Sequence, residues 1–467
     1  MDKGKAIDLP DPLRVTWGQF IGARLQAYRT PLIVFGIAVA VRLVLLICSV
    51  AQIGTDVHFE LTWDGRGYVW MARDMLHGTE TNIKGLFSHG PGYAGFLATL
   101  MLVFGERAVP LLVTQVILSA LTCVAVFWLG RRLTENHVVG VVSGLVLALS
   151  PTSVSLSLMI LSDSLYHLLF AIALVTFVRG LTRVKWKDFI LTGVVVGAGI
   201  LVRPVGQAWP AVLLLMAALY VWVTGARGRV SERPNPWRLV GRTAIAALLA
   251  IVMVTPWVIR NQMMYGIPAV AFTTAGGPAV VAARAIGIEE DKPYRQVLQE
   301  WIDEYLEAND QEHLPIDEQY RMYRQRTQET LSKHGWRMIQ LYAGQVWENV
   351  NELNYLDGLL LPHWKHHLDS LRATIKKARL NYLPFLISLA GMIILLWRRD
   401  YGAVVILGIV YLYSAVTIGS YDLQGSRYFL PGQTADSILM AVTIVALVRF
   451  LRRLSKRVTS VSVGSDA

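Results

Sequence analysis

Between residues 61 and 78 the chain reads LTWDGRGYVWMARDMLHG, which places Asp64, Arg66, Arg73, Asp74 and His77 directly after an apolar run. A carboxylate at the lip of a membrane cavity is placed to act as a general base. From Gly67 onward, Tyr68, Met71, Ala72, Met75 and Leu76 recur at three- and four-residue spacing, so the window reads as a helix with one apolar stripe. Asp64 would then precede the first turn and could cap that helix, accepting backbone N–H bonds worth about 1 kcal/mol. The two roles are compatible. Cations stand at the ends of other apolar runs: Arg203 in LVRP, Arg260 after TPWVI and Arg427 in SRYFLP. Guanidinium matches phosphate in bidentate geometry, although arginines near span ends also snorkel to the interface. In LPHWKHHLD, His363 and His367 have the i, i+4 spacing of a zinc pair with His366 between them. Such a cluster is more often a solvated or headgroup-facing patch.

The elements that must position these residues follow from composition. The chain is 54% hydrophobic and only 16% charged, with mean hydropathy +0.44; soluble domains are about a quarter charged. Its apolar residues come in runs of bilayer-spanning length. Spans are expected near residues 32–53, 108–129, 138–156, 158–178, 189–202, 208–223, 243–258, 383–397, 401–418 and 429–450. The apolar but short PGYAGFLATLMLVFG, residues 91–105, reads as a helix lying in or dipping into the interface. Cys48 and Cys123 fall inside apolar runs and read as small hydrophobes.

The net charge of +11 is not a nucleic-acid signature, because the basic residues sit in short clusters after every second span. Arg131 and Arg132, then Arg179, Arg183, Lys185 and Lys187, then Arg227 to Arg238, Arg398 and Arg399, and Arg452 to Arg457 mark cytoplasmic loops by the positive-inside rule. The N-terminal tail is expected to be no cleavable signal. The expectation is an all-α polytopic membrane protein with about ten or eleven transmembrane helices. Residues 1–31 would be a cytoplasmic tail. Residues 32–258 would form the transmembrane core, including an outer loop, 54–107, with interfacial helices. Residues 259–380 would be a small helical extracytoplasmic domain, 381–451 the last spans and 452–467 a cytoplasmic tail. Within the outer domain, residues 292–310 have helical apolar spacing, and a second helix from about 314 should stop at Gly335.

The segments WDGRGYVWMARDMLHG, HGPGYAGFLATLMLVFG, QVILSALTCVAVFWLGRRL, LSPTSVSLSLMILSDSL, GAGILVRP, TPWVIRNQMMYGIP and SRYFLP, in that order, resemble the GT-C superfamily of membrane glycosyltransferases. The nearest likeness is to protein O-mannosyltransferases and lipid A aminoarabinose transferases. The resemblance implies that Asp64 is the base in the first outer loop. Many members carry two adjacent acidic residues there, where this chain has Gly65, which weakens the case for a metal. It further implies that Asp163 in LSDSL fills a second acidic position, whose alternative role is a helix cap. Arg203 and Arg427 become the favoured phosphate contacts, with Arg260, His89 and Tyr68 as further donor-binding candidates. For His89 the alternative is an ordinary interfacial histidine.

Chemistry is consistent with that implication. No Gly-rich phosphate loop stands between a strand and a helix, and a sugar donor used outside the cell would have to arrive on a lipid. Breaking a sugar–phosphate bond needs a carboxylate to deprotonate the acceptor and cations to hold the phosphate. The expected protein is an inverting glycosyltransferase of the cytoplasmic membrane, with both termini inside and its site outside. It would take a polyprenyl-phosphate sugar and pass it to a glycan, lipid or protein hydroxyl, among membrane lipids and without nucleic acid; no cofactor is assigned. The rival readings are a lipid-linked oligosaccharide flippase, which would show broken mid-membrane helices and repeated halves, and a polymerase or ligase using diphosphate-linked lipids.

Overall fold

The computed structural model describes residues 17–78, 89–225, 235–351, 382–418, 427 and 429–463, and these form helices without strands. The expected histidine cluster at 363–367 and most of the loop before Arg427 lie outside the described residues. Helix α1 spans Trp17–Ile53, α2 Trp63–His77, α3 Pro91–Phe104, α4 Ala108–Thr134, α5 His137–Ala148 and α6 Pro151–Leu156. Then come α7 Asp163–Arg183, α8 Trp186–Val202, a 3-10 turn at Pro204–Ala208, α9 Trp209–Gly225 and α10 Pro236–Tyr265. Helices α11 Thr273–Glu289, α12 Tyr294–Asn309 and α13 Ile316–Asn351 precede the last three, α14 Leu383–Trp397, α15 Tyr401–Ile418 and α16 Gln433–Val463.

Among the described residues, six segments are long and apolar enough to cross a bilayer: Arg29–Ile53, Ala108–Thr134, Asp163–Arg183, Pro204–Gly225, Pro236–Tyr265 and Leu430–Ser455. Four shorter apolar helices, α3, α5, α14 and most of α15, fill in around them. One main core runs through α4, α5, α7, α8, α9, α10, α15 and α16, with Phe177 and Phe189 among its fully buried side chains.

The third expected span, 138–156, is broken. Helix α5 ends at Ala148, Ser150 caps α6 by accepting from the Ser153 N–H, and Pro151 occupies the first turn. After Leu156 the chain leaves helical geometry until α7 starts at Asp163, five residues later than the expected start at 158. Proline fixes the break, and the serines at 150, 153, 155, 157 and 162 offer the backbone local partners that compete with a helix. Non-helical backbone at membrane depth survives only where protein groups satisfy it. Here Arg42, fully buried in α1, donates to the Ala148 carbonyl at 3.0 Å and the Ser153 hydroxyl at 2.9 Å. Gln115 of α4 donates to the carbonyls of Met159 and Leu161 at 3.1 and 2.7 Å. The break ends by delivering Asp163.

Three other boundaries differ from expectation. The span expected at 243–258 is the core of the 30-residue α10, capped by Asn235 with Pro236 in its first turn and closed by Gly266 at φ 67°. Gly335 does not stop its helix; α13 runs on to Asn351 through one non-helical residue, His334. Helix α11 was not expected. Its alanines pack with Trp301, Tyr320 and Tyr323 into a separate small core formed with α12 and α13.

Candidate active site

Helix α2 begins earlier than the apolar stripe implies. Thr62 is its cap, accepting from the Gly65 N–H at 2.9 Å, and Asp64 lies in the first turn. The capping alternative for Asp64 therefore gives way, because Thr62 already fills the position, and the carboxylate is directed elsewhere. Tyr68, Met71 and Ala72 are buried as the stripe requires. Met75, farther along, is exposed. The tight start of α2 also explains Gly65. A Cβ there would lie 2.7 Å from the Thr62 hydroxyl and 3.0 Å from the Ile160 carbonyl, so a second acidic side chain does not fit without displacing one of them.

Residues far apart in sequence converge at this end of the molecule. Arg427 bridges two carboxylates: its Nη1 lies 2.7 Å from Asp64 Oδ2 and its Nε donates to Asp163 Oδ2 at 3.1 Å. Arg203, the residue that ends α8 before Pro204, donates to the other oxygen of Asp163. Asp163 heads α7 with no capping bond from its neighbour Ser162, and its side chain is 0% exposed. The exposures of Arg203, Arg427 and Asp64 are 11%, 13% and 34%. Two positive and two negative charges thus balance in a largely dry cluster. Of the four, Asp64 is the most open to solvent.

His89 and Tyr68 complete one wall. His89 Nε2 stands 3.7 Å from Asp64 Oδ1, an ion-pair distance rather than a hydrogen bond, and its ring lies 4.7 Å from that of Tyr68. The Tyr68 hydroxyl donates to Ser162 Oγ at 3.1 Å, next to Asp163. Tyr68 packs edge-on against Tyr93, whose hydroxyl accepts from Gln115 at 2.7 Å. Gly90 and Gly92 let α3 start against the end of α8: a Cβ at Gly90 would lie 2.3 Å from the Leu201 carbonyl, two residues before Arg203.

Electrostatics follow this geometry. Burial alone would raise the Asp64 carboxyl, but His89 and the Arg427 guanidinium outweigh it and hold it well below the usual carboxylate range. Burial pushes the Tyr68 phenol up to about 12, so it is neutral and available as a donor.

Of the residues singled out from sequence, Asp64, Asp163, Arg203 and Arg427 form one ion-pair network, and His89 and Tyr68 lie beside it. Arg260 is placed differently. Its guanidinium stacks over Trp257 at 4.6 Å and Tyr265 at 5.6 Å and donates to Asn261. Sequence reasoning missed Arg42, Gln115 and Ser162, which set the broken segment before Asp163. An arginine inside an otherwise apolar run was the available signal for Arg42, since intramembrane charge is costly.

Residues 88–259 match the family described as dolichyl-phosphate-mannose-protein mannosyltransferase. No curated protein matches the chain. Among solved structures, the Archaeoglobus fulgidus oligosaccharyltransferase in complex with Zn and sulfate superposes with TM-score 0.53 at 12% identity, over 90% of this chain and 49% of that one. The same organism's oligosaccharyltransferase AglB, with an inhibitory peptide and a dolichol-phosphate, gives TM-score 0.52 at 13% identity, over 93% and 52%. This chain therefore spans about half the length of those proteins. ArnT from Cupriavidus metallidurans bound to undecaprenyl phosphate aligns over 86% of this chain and 76% of that one at 14% identity, with a TM-score of only 0.38. The helical fold is GT-C-like, and the matched segment runs from the start of α3 through most of α10. Together they give the class of fold, that of the GT-C membrane proteins, over a segment that matches the mannosyltransferase family model.

Proposed function

We propose that this chain transfers a sugar from a polyprenyl-phosphate carrier to an acceptor hydroxyl, with inversion, on the extracytoplasmic face of a cytoplasmic membrane. The observation that carries the reading is the Arg427 bridge, which joins an accessible carboxylate to a buried acid–arginine pair. In the reaction the acceptor oxygen bonds to the anomeric carbon as the bond from that carbon to the phosphate oxygen breaks. The acceptor proton passes to Asp64, and the lipid monophosphate leaves with its charge held by Arg427 and Arg203. Asp163 positions both guanidiniums. The low proton affinity of Asp64 at rest fits a base that becomes competent when the donor phosphate draws Arg427 away.

The matched family description, which names a dolichyl-phosphate sugar donor, supports the donor class. The alternation of basic loops supports the outward orientation. The helical domain at 259–380 is assigned the acceptor side of the cavity: Val346 of α13 packs against the small cluster of Ala415 and Phe429, the latter two residues from Arg427, so acceptor contacts there would be felt at the acid–arginine network.

The test is to incubate purified protein with labelled polyprenyl-phosphate sugars. Release of lipid monophosphate, abolished in Asp64→Asn, supports the transferase. Movement of intact lipid across a vesicle membrane would favour the flippase, and turnover of diphosphate carriers alone would favour the polymerase or ligase. An Asp64→Asn protein that folds and turns over at the wild-type rate refutes the assignment of the base.

A further inference from the structure

A second polar cavity, of about 430 Å³ and open to one side, lies away from the acid–arginine cluster, bordered by the ends of α4, α7 and α9 and the start of α15. Helix α7 relates the two sites. It carries Asp163 at one end and Thr182, which lines the cavity, at the other, nineteen residues on, a rise of about 28 Å. That is close to the thickness of a bilayer's hydrocarbon core, roughly 30 Å, so the cavity opens at the opposite membrane face. Trp222 at the end of α9 and Trp397 at the end of α14 are 71% and 86% exposed. Tryptophans in such positions sit at headgroup level.

The lining is divided. Its floor is apolar, with Leu181, Ala403 and Ile406 buried. Its polar wall carries two guanidiniums, Arg132 and Arg399, and two carboxylates, Glu135 and Asp400. Arg132 is oriented by donating to Thr182 Oγ1 at 2.7 Å. Glu135 and Arg399 both stand in left-handed conformations, φ 51° and 63°, that end α4 and follow α14, so their side chains are set by the turns. Glu135 and Asp400 line the same cavity. Burial, opposed by Arg398 and reinforced by Glu135, holds Asp400 above the usual carboxylate range.

A bare phosphate or an anionic headgroup would meet the two arginines but also the two carboxylates. A cation alone would meet the reverse. A ligand with an anion and a hydrogen-bonding cation a few ångströms apart satisfies both pairs, and its neutral total charge matches the lining. We propose that this cavity binds the headgroup of an amine-bearing zwitterionic phospholipid, a phosphoethanolamine, with its phosphate against Arg132 and Arg399 and its ammonium between Glu135 and Asp400. The acyl chains would leave over the apolar floor toward the bilayer. A choline headgroup carries the same charges but has no N–H to donate to the carboxylates. The inference is independent of the proposed reaction.

The experiment is a lipid competition on the full-length protein in detergent, read by native mass spectrometry. Equimolar phosphatidylethanolamine, phosphatidylglycerol and phosphatidylcholine of matched chains are added after delipidation. Phosphatidylethanolamine should be retained about three- to tenfold over either competitor, the range of one or two partly exposed charge-assisted contacts. The double variant Glu135→Gln/Asp400→Asn should lose that preference and take up phosphatidylglycerol instead, while Arg399→Gln weakens every phospholipid. Equal retention of the three lipids by the wild-type protein overturns the proposal whatever the variants do. So does an unchanged preference in a double variant that remains monodisperse. Inorganic phosphate displacing the lipid as effectively as free phosphoethanolamine would show an anion site only, and would also overturn it.

Discussion

Asp64 and Asp163 are bridged by one guanidinium, yet the same carboxylate-to-amide change should act on them differently. Asp163 is fully buried and contacts both Arg203 and Arg427, themselves nearly buried. Two unit charges about 4 Å apart interact by about 4 kcal/mol at an effective dielectric of 20, and removing one partner of a buried pair costs about 3–5 kcal/mol, because the remaining charge stays desolvated. Asp163→Asn should therefore destabilise the protein by about 3–5 kcal/mol. Asp64 is a third exposed, and Arg427 keeps Asp163 when it is lost. Screening by solvent limits its contribution to about 0–1 kcal/mol, whereas loss of a general base lowers turnover by about 10²–10⁴-fold. Denaturant unfolding in detergent, followed by the fluorescence of the 14 tryptophans, measures stability; release of lipid monophosphate measures turnover. The expected pattern is that both variants lose activity and only Asp163→Asn loses stability. Asp163→Asn unfolding within about 0.5 kcal/mol of wild type would refute the reasoning, since a change of that size belongs to an exposed site; so would Asp64→Asn falling as far as Asp163→Asn.

Further expectations concern the same framework. Because the Asp64 carboxyl is depressed, its stabilising contribution is present above the unfolded-state value of about 3.9. That contribution is lost only as pH falls through its lower folded value. The acid limb of kcat/KM should accordingly lie below the ordinary carboxylate range and move upward in Arg427→Gln; a limb that does not move would disprove the coupling. Gly65→Asp, whose Cβ would press on the Thr62 hydroxyl and the Ile160 carbonyl, should cost about 1–3 kcal/mol by overpacking, seen as a lower denaturation midpoint. Arg42→Met should leave the Ala148 carbonyl and the Ser119 and Ser153 hydroxyls short of a donor. At about 1–3 kcal/mol for an orphaned buried group, unfolding should shift clearly. Arg42→Lys should rescue it only in part, because one ammonium cannot span partners on α4, α5 and α6.

The class and its polar ends were legible in the sequence because the bilayer imposes a length and a charge bias that one-dimensional patterns record. Nine of the ten expected spans fall mainly on single helices, the exception being the broken 138–156, and Asp64, Arg203 and Arg427 stood out as polar residues where apolar runs end. Local chemistry misled where a neighbour could take the same part. Thr62 rather than Asp64 caps α2, and Gly335 lies in a helix that bends at His334 instead of stopping. What only the tertiary structure decided is partnership. Asp163 and Arg427 are 264 residues apart, and nothing in either segment encodes the other. Their meeting depends on a broken helix held by Arg42 and Gln115 from two different spans, and on glycines that let α3 approach the α8 backbone and α2 the broken segment at Ile160. Burial of a charge is costly unless its counter-charge arrives with it, and that arrival is a property of packing, not of any stretch of sequence.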